Sequence, residues 1–547
     1  MSAVATPRAG RREWIGLAVL ILPCLLISVD FTVLHLAVPA LSADLRPSGT
    51  QLLWIVDIYG FLIAGSLITM GTLGDRIGRR RLLLIGGGAF GVASMLAAFS
   101  TSAEMLIATR AILGVSGATL MPSTLSLIRN LFHDPVQRTR AIGLWITSFT
   151  AGSAIGPVVG GALLERFWWG AAFLLGVPVM LLLLALGPFL LPESRDPTAG
   201  RIDLASAAMS LVAVLAVVFG IKRAAAHGPE WFAALSVACG LGVGVAFVRR
   251  QHGLRDPLID VGLFRVRAFS AALTTQALAL FAYAGAQFFA GQYLQLVLGL
   301  SPLHAGLWTL PSAAAGTITT TLVPSLLRTV RPAFVLSGGL LVAALGFGMM
   351  TQVGGASGLA VLVTGFVVLS LGFGPAMTVT TDLVVGAAPP ARAGAASAIS
   401  ETSNELGLAL GIAVIGSIGA ALYRREMANA IPPGVPPAAA QAAEETLGGA
   451  LAAIGQLPAS QGEALLDVAR AAFTTGLHLT AGISTAIMLG LALLAMAMLR
   501  RASIESPRRR MSSRPTAISS PEPAPGGATA SPCRIRSGGG SHRLTRH

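Results

Sequence analysis

Apolar positions along the chain fall into long unbroken runs, separated by short polar connections, with neither strand-like alternation nor a one-faced helical stripe. A helix needs roughly 20 apolar residues to cross a bilayer. On that criterion the sequence predicts fourteen spans, at about 14–39, 52–74, 82–100, 105–128, 140–163, 170–191, 203–221, 231–249, 268–296, 304–327, 333–352, 357–385, 394–421 and 471–499. The first run follows Arg8, Arg11 and Arg12 as a signal peptide would, but it is longer than such a segment and carries Asp30 deep inside it, so it reads as a retained span. Two stretches break the pattern. Residues 424–470 form an Ala- and Pro-rich connection with Glu444, Glu445, Glu463 and Asp467, a candidate helical hairpin; residues 502–547 are rich in Ser, Pro, Gly and Arg and read as a disordered basic tail.

Composition adds the solvent. With 54% hydrophobic and 11% charged residues and a mean hydropathy of +0.74, most of the chain is built to face lipid. The net charge of +14 raises nucleic acid as a partner, so the placement of the basic residues has to decide. Twenty of the 38 lie in the N-terminus and every second connection and seven in the alternate ones, while Arg110 stands within a span. That asymmetry predicts a multi-pass protein of the cell membrane with both termini cytoplasmic, and it removes nucleic acid as a partner. Cys24, Cys239 and Cys533 are too scattered for disulfides or a thiolate metal site. Lys222, the lone lysine, is followed by Arg223, so the chain has no phosphate-binding loop, and its eight histidines are dispersed. An ATPase is excluded and an enzyme disfavoured; no cofactor is expected.

Compared with itself at an offset of 255 residues, the chain places Arg76 on Arg331, Pro135 on Pro390, Gly152 on Gly407, Gly156 on Gly411 and Gly161 on Gly416. Spans 1–6 thereby match spans 9–14. The expected organisation is a cytoplasmic N-terminus (1–13), a six-helix half (14–200), an inserted pair (201–250), a second half (251–501) and the tail. Two parallel repeats about a central cavity suit alternating access, in which one half rocks against the other. Symmetry is broken by ionisable residues: Asp30, Asp57 and Arg110 fall on Gly285, Ser312 and Gly365, and Glu401 and Glu405 on Ile146 and Thr150.

Four stretches carry a family likeness. Gly71-Thr-Leu-Gly-Asp75-Arg76-Ile-Gly78-Arg79-Arg80-Arg81 packs a carboxylate and four guanidinium groups between two apolar runs. Span 4 holds Arg110-Ala-Ile-Leu-Gly114-Val-Ser-Gly117-Ala118, span 5 holds Gly152-Ser-Ala-Ile-Gly156-Pro157-Val-Val-Gly160-Gly161, and span 1 holds Asp30-Phe-Thr32-Val-Leu-His35-Leu-Ala37-Val-Pro39. Over residues 14–500 the chain resembles the major facilitator superfamily, and within it the fourteen-span drug:proton antiporter branch of multidrug and quaternary-ammonium efflux pumps. His35 stands where that branch usually has Asn, and Gly316 stands near a place where some relatives carry an acid. The resemblance implies an all-α membrane fold with two six-helix halves and two inserted helices. It also implies a gating role for Gly71, Asp75, Arg76, Gly78 and Arg79, and a seal between halves formed by Gly152, Gly156, Pro157, Gly160 and Gly161.

The residues reach a compatible reading through cost. An ionisable side chain inside a span costs at least about 2.5–3.5 kcal/mol, so each needs a partner, water or a task. Asp30 and Asp57 sit toward the outer ends of spans 1 and 2, where two carboxylates suit the exit side of a cation path. Glu401 and Glu405 are one turn apart on one face of span 13, nearer its cytoplasmic start. A buried carboxylate holds a proton or a cationic drug but not both, and that competition couples inward proton flow to outward cargo flow; the alternative is that Glu405 pairs with Arg392 or a water at the inner mouth and only stabilises structure. Arg110 has to face the interior and hydrogen-bond there, either to neutralise a buried carboxylate or, as the resemblance implies, beside the proton path where it adjusts a nearby acid such as Asp30. Gly152, Gly156 and Gly160 form one stripe that admits a neighbouring backbone. Asp75 and Arg79 are expected to latch the cytoplasmic gate by pairing across the half–half interface, and Gln276, Tyr283, Gln287 and Tyr293 belong to an aromatic and amide cluster in span 9 suited to flat cations. The expected partners are lipophilic cations, protons and the bilayer, with the proton motive force as energy source and one chain as the working unit. The alternative is a facilitator exporting an endogenous metabolite or antibiotic.

Overall fold

In lipid, every backbone N–H and C=O must be satisfied within its own segment, and the helix is the open-chain solution. The computed structural model follows that constraint. It describes residues 9–195, 203–228, 230–254, 257–259, 261–387, 393–455 and 457–499. These form eighteen α-helices: α1 (Arg11–Leu45), α2 (Gly49–Ile77), α3 (Arg79–Ala98), α4 (Ala103–Leu131), α5 (Pro135–Arg166), α6 (Ala171–Leu174), α7 (Gly176–Leu190), α8 (Leu204–His227), α9 (Trp231–Gly253), α10 (Arg267–Gln292), α11 (Pro302–Leu307), α12 (Leu310–Leu326), α13 (Pro332–Met350), α14 (Gly358–Ala387), α15 (Ala393–Ala430), α16 (Pro437–Glu445), α17 (Leu447–Ile454) and α18 (Ala459–Leu499). Large apolar side chains such as Ile85, Leu181, Phe189 and Leu345 are exposed on the outside, as a lipid-facing surface requires.

Among the described residues, thirteen helical stretches are long and apolar enough to cross a membrane. The tenth sequence run is the exception: the continuous helix expected at 304–327 is two helices, α11 and a 17-residue α12. A proline stands in the first turn of each, Pro302 and Pro311, where the missing N–H leaves no hydrogen bond unmade. Between residues 424 and 470 the irregular connection is also shorter than the hydropathy suggested. Helix α15 continues to Ala430 and α18 begins at Ala459, with α16 and α17 between them. The tail at 502–547 lies outside the described residues.

The internal repeat is visible in packing. A Cβ on Gly152 would stand 2.6 Å from Leu25 O, and one on Gly156 would meet Thr32 and lie 3.2 Å from Val29 Cα, so α5 runs parallel to α1 at backbone contact. In the second half a Cβ on Gly407 would stand 2.6 Å from Ala277 O, and Gly411 abuts Phe281 O, which sets α15 parallel to α10 in the same way.

Helices α8 and α9 pack on each other through Gly220 and Gly240, whose missing side chains admit Ala233 O and Ala213 O, each 2.7 Å from a built Cβ. On its other side α8 meets both halves, with Val218 in a buried cluster alongside Phe61 of α2 and Ala409 and Ala413 of α15. Asp203 caps α8 by accepting from Ser206 N (3.1 Å) and pairs with Arg250 at 3.1 Å. Arg250 and Ser206 together hold the Asp203 carboxyl down at about 2.

Candidate functional site

The connection between α2 and α3 comes first, because it fixes which ends of the helices share a face. Gly78 reverses the chain with φ 113°, a conformation that L side chains rarely adopt, and a Cβ there would stand 2.5 Å from Glu193 Oε1. Glu193 accepts from Arg80 N at 3.1 Å. Arg80 Nη1 donates to Pro188 O and Leu191 O, at 3.2 and 3.0 Å. The start of α1, the α2–α3 turn and the end of α7 thus form one basic face, with Arg76 exposed on it. Asp75 pairs with Arg79 of the same turn at 2.6 Å. Among the described residues neither group pairs across the halves: the reversal at Gly78, between the end of α2 and the start of α3, folds Arg79 back onto Asp75, and residues 388–392 lie outside the described residues.

The close approaches between the halves lie toward the opposite, far face. Gly161 of α5 abuts α11, with a built Cβ 2.5 Å from Pro302 O, and Gly306 of α11 abuts Pro157 O. Their counterpart in the repeat is Gly416 of α15, whose Cβ would lie 2.8 Å from Leu53 of α2. Gln295 Nε2 donates to Leu36 O at 3.1 Å. Gly152, Gly156 and Gly160 bind α5 to α1, and Pro157 and Gly161 bind it to the second half, so one motif serves both contacts.

Among the ionisable residues within the bundle, the structure separates two kinds. Asp30 of α1 accepts from Arg110 Nη1 of α4 at 3.0 Å; their side chains are 11% and 1% exposed. Arg110 also donates to Ile55 O (3.1 Å) and Val56 O (3.3 Å), and its guanidinium lies 4.5 Å from the Tyr59 ring centre. Asp57 accepts from Lys222 Nζ of α8 at 2.8 Å, with both side chains buried. The expected joint exit path of Asp30 and Asp57 is therefore not a shared site here; each carboxylate has its own base. Lys222, assigned to a connection by hydropathy, lies within α8 because that helix continues to His227.

Glu401 and Glu405 of α15 form no ion pair among the described residues; Arg392, the alternative partner of Glu405, lies outside them. Glu405 Oε2 is shielded from solvent and has no hydrogen-bond partner, as are Thr402 Oγ1 and Asn404 Oδ1. Buried polar atoms left open in this way are costly unless another occupant completes them.

Tyr59 links the two kinds of acid. Gly60 packs on Ala409 and Leu53 on Gly416, which fixes α2 antiparallel to α15. Glu405 then sits level with Ala64, and Tyr59 lies about 7 Å farther toward the far face at helical rise. Its phenol is within electrostatic reach of Asp30, Arg110 and Glu405 together. Sequence reasoning missed Tyr59; its signal was being one of four tyrosines, two residues from an intramembrane Asp.

The span 9 cluster divides. Tyr283 stacks on Phe373 at 4.9 Å between ring centres, and Gln287 Oε1 is buried and open. Gln276 is committed to structure, accepting from Ser400 (3.1 Å) and donating to Thr381 (3.2 Å). Tyr293 is buried. Asp382 is exposed on α14.

Comparison with known proteins agrees with this geometry. The chain is 48% identical over 488 residues to the multidrug efflux pump LfrA of Mycolicibacterium smegmatis, covering 89% of this chain and 96% of that one. It is 36% identical to the methyl viologen resistance protein SmvA of Salmonella typhimurium, over 84% of this chain and 93% of that one. A solved structure of similar fold is a bacterial homologue of the human lysosomal transporter Spinster, in an inward-facing and unoccupied conformation. The match has a TM-score of 0.63 at 17% identity, covering 90% of this chain and 99% of that one. Residues 20–412 match the Major Facilitator Superfamily model. The chain belongs to the major facilitator superfamily and is a transporter, not an enzyme.

Proposed function

We propose that the protein exports lipophilic cations, including quaternary ammonium compounds, from the cytoplasm or inner leaflet in exchange for protons, acting as a single chain. The observation that carries this reading is the pair Glu401 and Glu405, one turn apart in the bundle and without an ion pair among the described residues, with Glu405 Oε2 buried and open. An ionised carboxylate left unpaired in a membrane interior is costly, so these groups rest as neutral acids until a cation arrives to replace the proton. Proton and cargo then compete for the same oxygens, and that competition is the coupling. A neutral cargo has no such claim on a carboxylate, which favours cations over an uncharged metabolite. The names of LfrA and SmvA, a multidrug efflux pump and a methyl viologen resistance protein, fit the same cargo class.

The basic face is taken as cytoplasmic by the positive-inside rule, so both chain ends lie there in the cell membrane. The half–half contacts at Gly161, Gly306 and Gly416 close the far side. Cargo entering from the cytoplasm meets Glu401 and then Glu405, and the ring faces of Tyr283 and Phe373 suit flat cations. Asp30 with Arg110 forms a charged latch that opens when Asp30 takes a proton from the far side.

Ethidium movement in energised everted vesicles tests the reading. Collapsing the pH gradient is expected to stop it; uptake that continues unchanged removes proton antiport.

A further inference from the structure

The inserted pair contributes one charged group to the bundle, and its chemistry is specific. Lys222 is the only lysine of the chain, and its side chain is 1% exposed. Its ammonium donates to Asp57 at 2.8 Å and lies 3.9 Å from the centre of the Trp54 ring. A carboxylate on one side and an indole face on the other form the environment that an organic cation seeks. Trp54 also lines an apolar groove between α2, α4, α8 and α9, together with Ile58, Ile107, Leu215, Phe219 and Ser236. Phe219 is 39% exposed there, so the groove opens toward the lipid that delivers a lipophilic solute.

We infer that Asp57 and Trp54 form a second organic-cation subsite, and that Lys222 occupies it as a built-in competitor which cargo must displace. Asp57 alone was a candidate cation ligand; the additions are the aromatic wall, the lateral groove and the resident ammonium. Arginine would be a poor competitor of this sort, because its planar fork binds carboxylates in two places and keeps its charge, whereas an ammonium on a four-carbon stem is a single point contact that withdraws while α8 stays packed. Trp54 explains the selectivity: a hydrated inorganic cation gains little from an indole face, while an aromatic or quaternary cation gains contact over its whole surface. The inference rests on the proposed cargo class, and the test below separates the two.

Because the chain has one lysine, an amine-acylating ester reports on this site alone once the N-terminal amine is distinguished by peptide mass. The purified wild-type protein in lipid nanodiscs is treated with a membrane-permeant ester with and without saturating tetraphenylphosphonium, whose binding is measured in parallel. Displacement is expected to raise acylation of Lys222 several-fold. Binding with unchanged or reduced acylation overturns the inference and leaves the cargo class standing; absence of any binding overturns both. In the same preparation Lys222→Met is expected to tighten tetraphenylphosphonium binding about tenfold, since a site open one time in ten binds about tenfold more weakly. Adding Asp57→Asn to Lys222→Met is expected to cancel the gain. A gain that survives in the double variant places the effect elsewhere and overturns the inference, and the double variant also serves if the single one, with Asp57 uncompensated, fails to fold.

Discussion

Replacing Glu405 by Gln tests the coupling with little structural noise. The Oε2 that becomes an amide nitrogen makes no hydrogen bond in this conformation, and no base among the described residues loses an ion pair. The cost to stability is therefore expected to stay within about 1 kcal/mol, the size of one net hydrogen bond. The effect on transport is larger. Each coupled carboxyl carries one proton per cycle, and each proton crossing one unit of pH difference supplies about 1.4 kcal/mol, a factor of ten in cargo gradient. Glu405→Gln removes one of those protons and so lowers the ceiling set by a one-unit gradient about tenfold. The assay is steady-state accumulation of tetraphenylphosphonium in everted proteoliposomes at fixed pH difference, with the membrane potential clamped by potassium and valinomycin. Cargo exchange without a gradient is expected to persist, since Glu401 and the rings remain. A Glu405→Gln protein that accumulates cargo to the wild-type ratio refutes the assignment of a coupled proton to this acid.

Asp30→Asn is expected to abolish gradient-driven efflux while the protein still inserts, with a loss of roughly 1.5–3 kcal/mol as Arg110 gives up a charged hydrogen bond but keeps Ile55 O and Val56 O; thermal unfolding in detergent and vesicle efflux check the two halves of that statement. Gly161→Leu places a branched side chain where a Cβ alone would stand 2.5 Å from Pro302 O, so the far side cannot close, and a cysteine introduced near Pro302 is expected to stay reactive toward an impermeant thiol reagent. Asp203 has a depressed carboxyl, so its cap on α8 contributes stability above the unfolded value of about 4 and loses it as pH falls toward about 2. Between pH 5 and 8, Asp203→Asn is expected to shift the melting temperature by a constant amount; a shift that grows across that window contradicts the pairing.

Hydropathy located every long span, because the bilayer imposes one length and one composition on all of them. It missed the break between α11 and α12, because residues 304–327 remain apolar across it and the local signal is a single proline, Pro311, in the first turn of α12. The glycine repeat was legible because close backbone approach leaves no alternative to Gly: Gly152 and Gly407 do the same work in the two halves. Partnering of the acids was legible in part. The resemblance set Arg110 near an acid such as Asp30, and the placement of α4 beside α1 supplies that pair; that Glu405 has no ion pair among the described residues was not legible, because Asp30 and Glu405 look alike as isolated carboxyls in apolar runs. Lys222 was hidden by a boundary, since a helix read as ending at 221 continues by one and a half turns and carries the ammonium into the bundle.

The central claim is that cargo and proton compete for Glu401 and Glu405, and proton release on binding measures it most directly. Purified protein in weakly buffered detergent solution, mixed with tetraphenylphosphonium and followed with a pH indicator, is predicted to release between one and two protons per bound cation near neutral pH, and none in the Glu401→Gln, Glu405→Gln double variant. Saturable cation binding by the wild-type protein with no proton released contradicts the account.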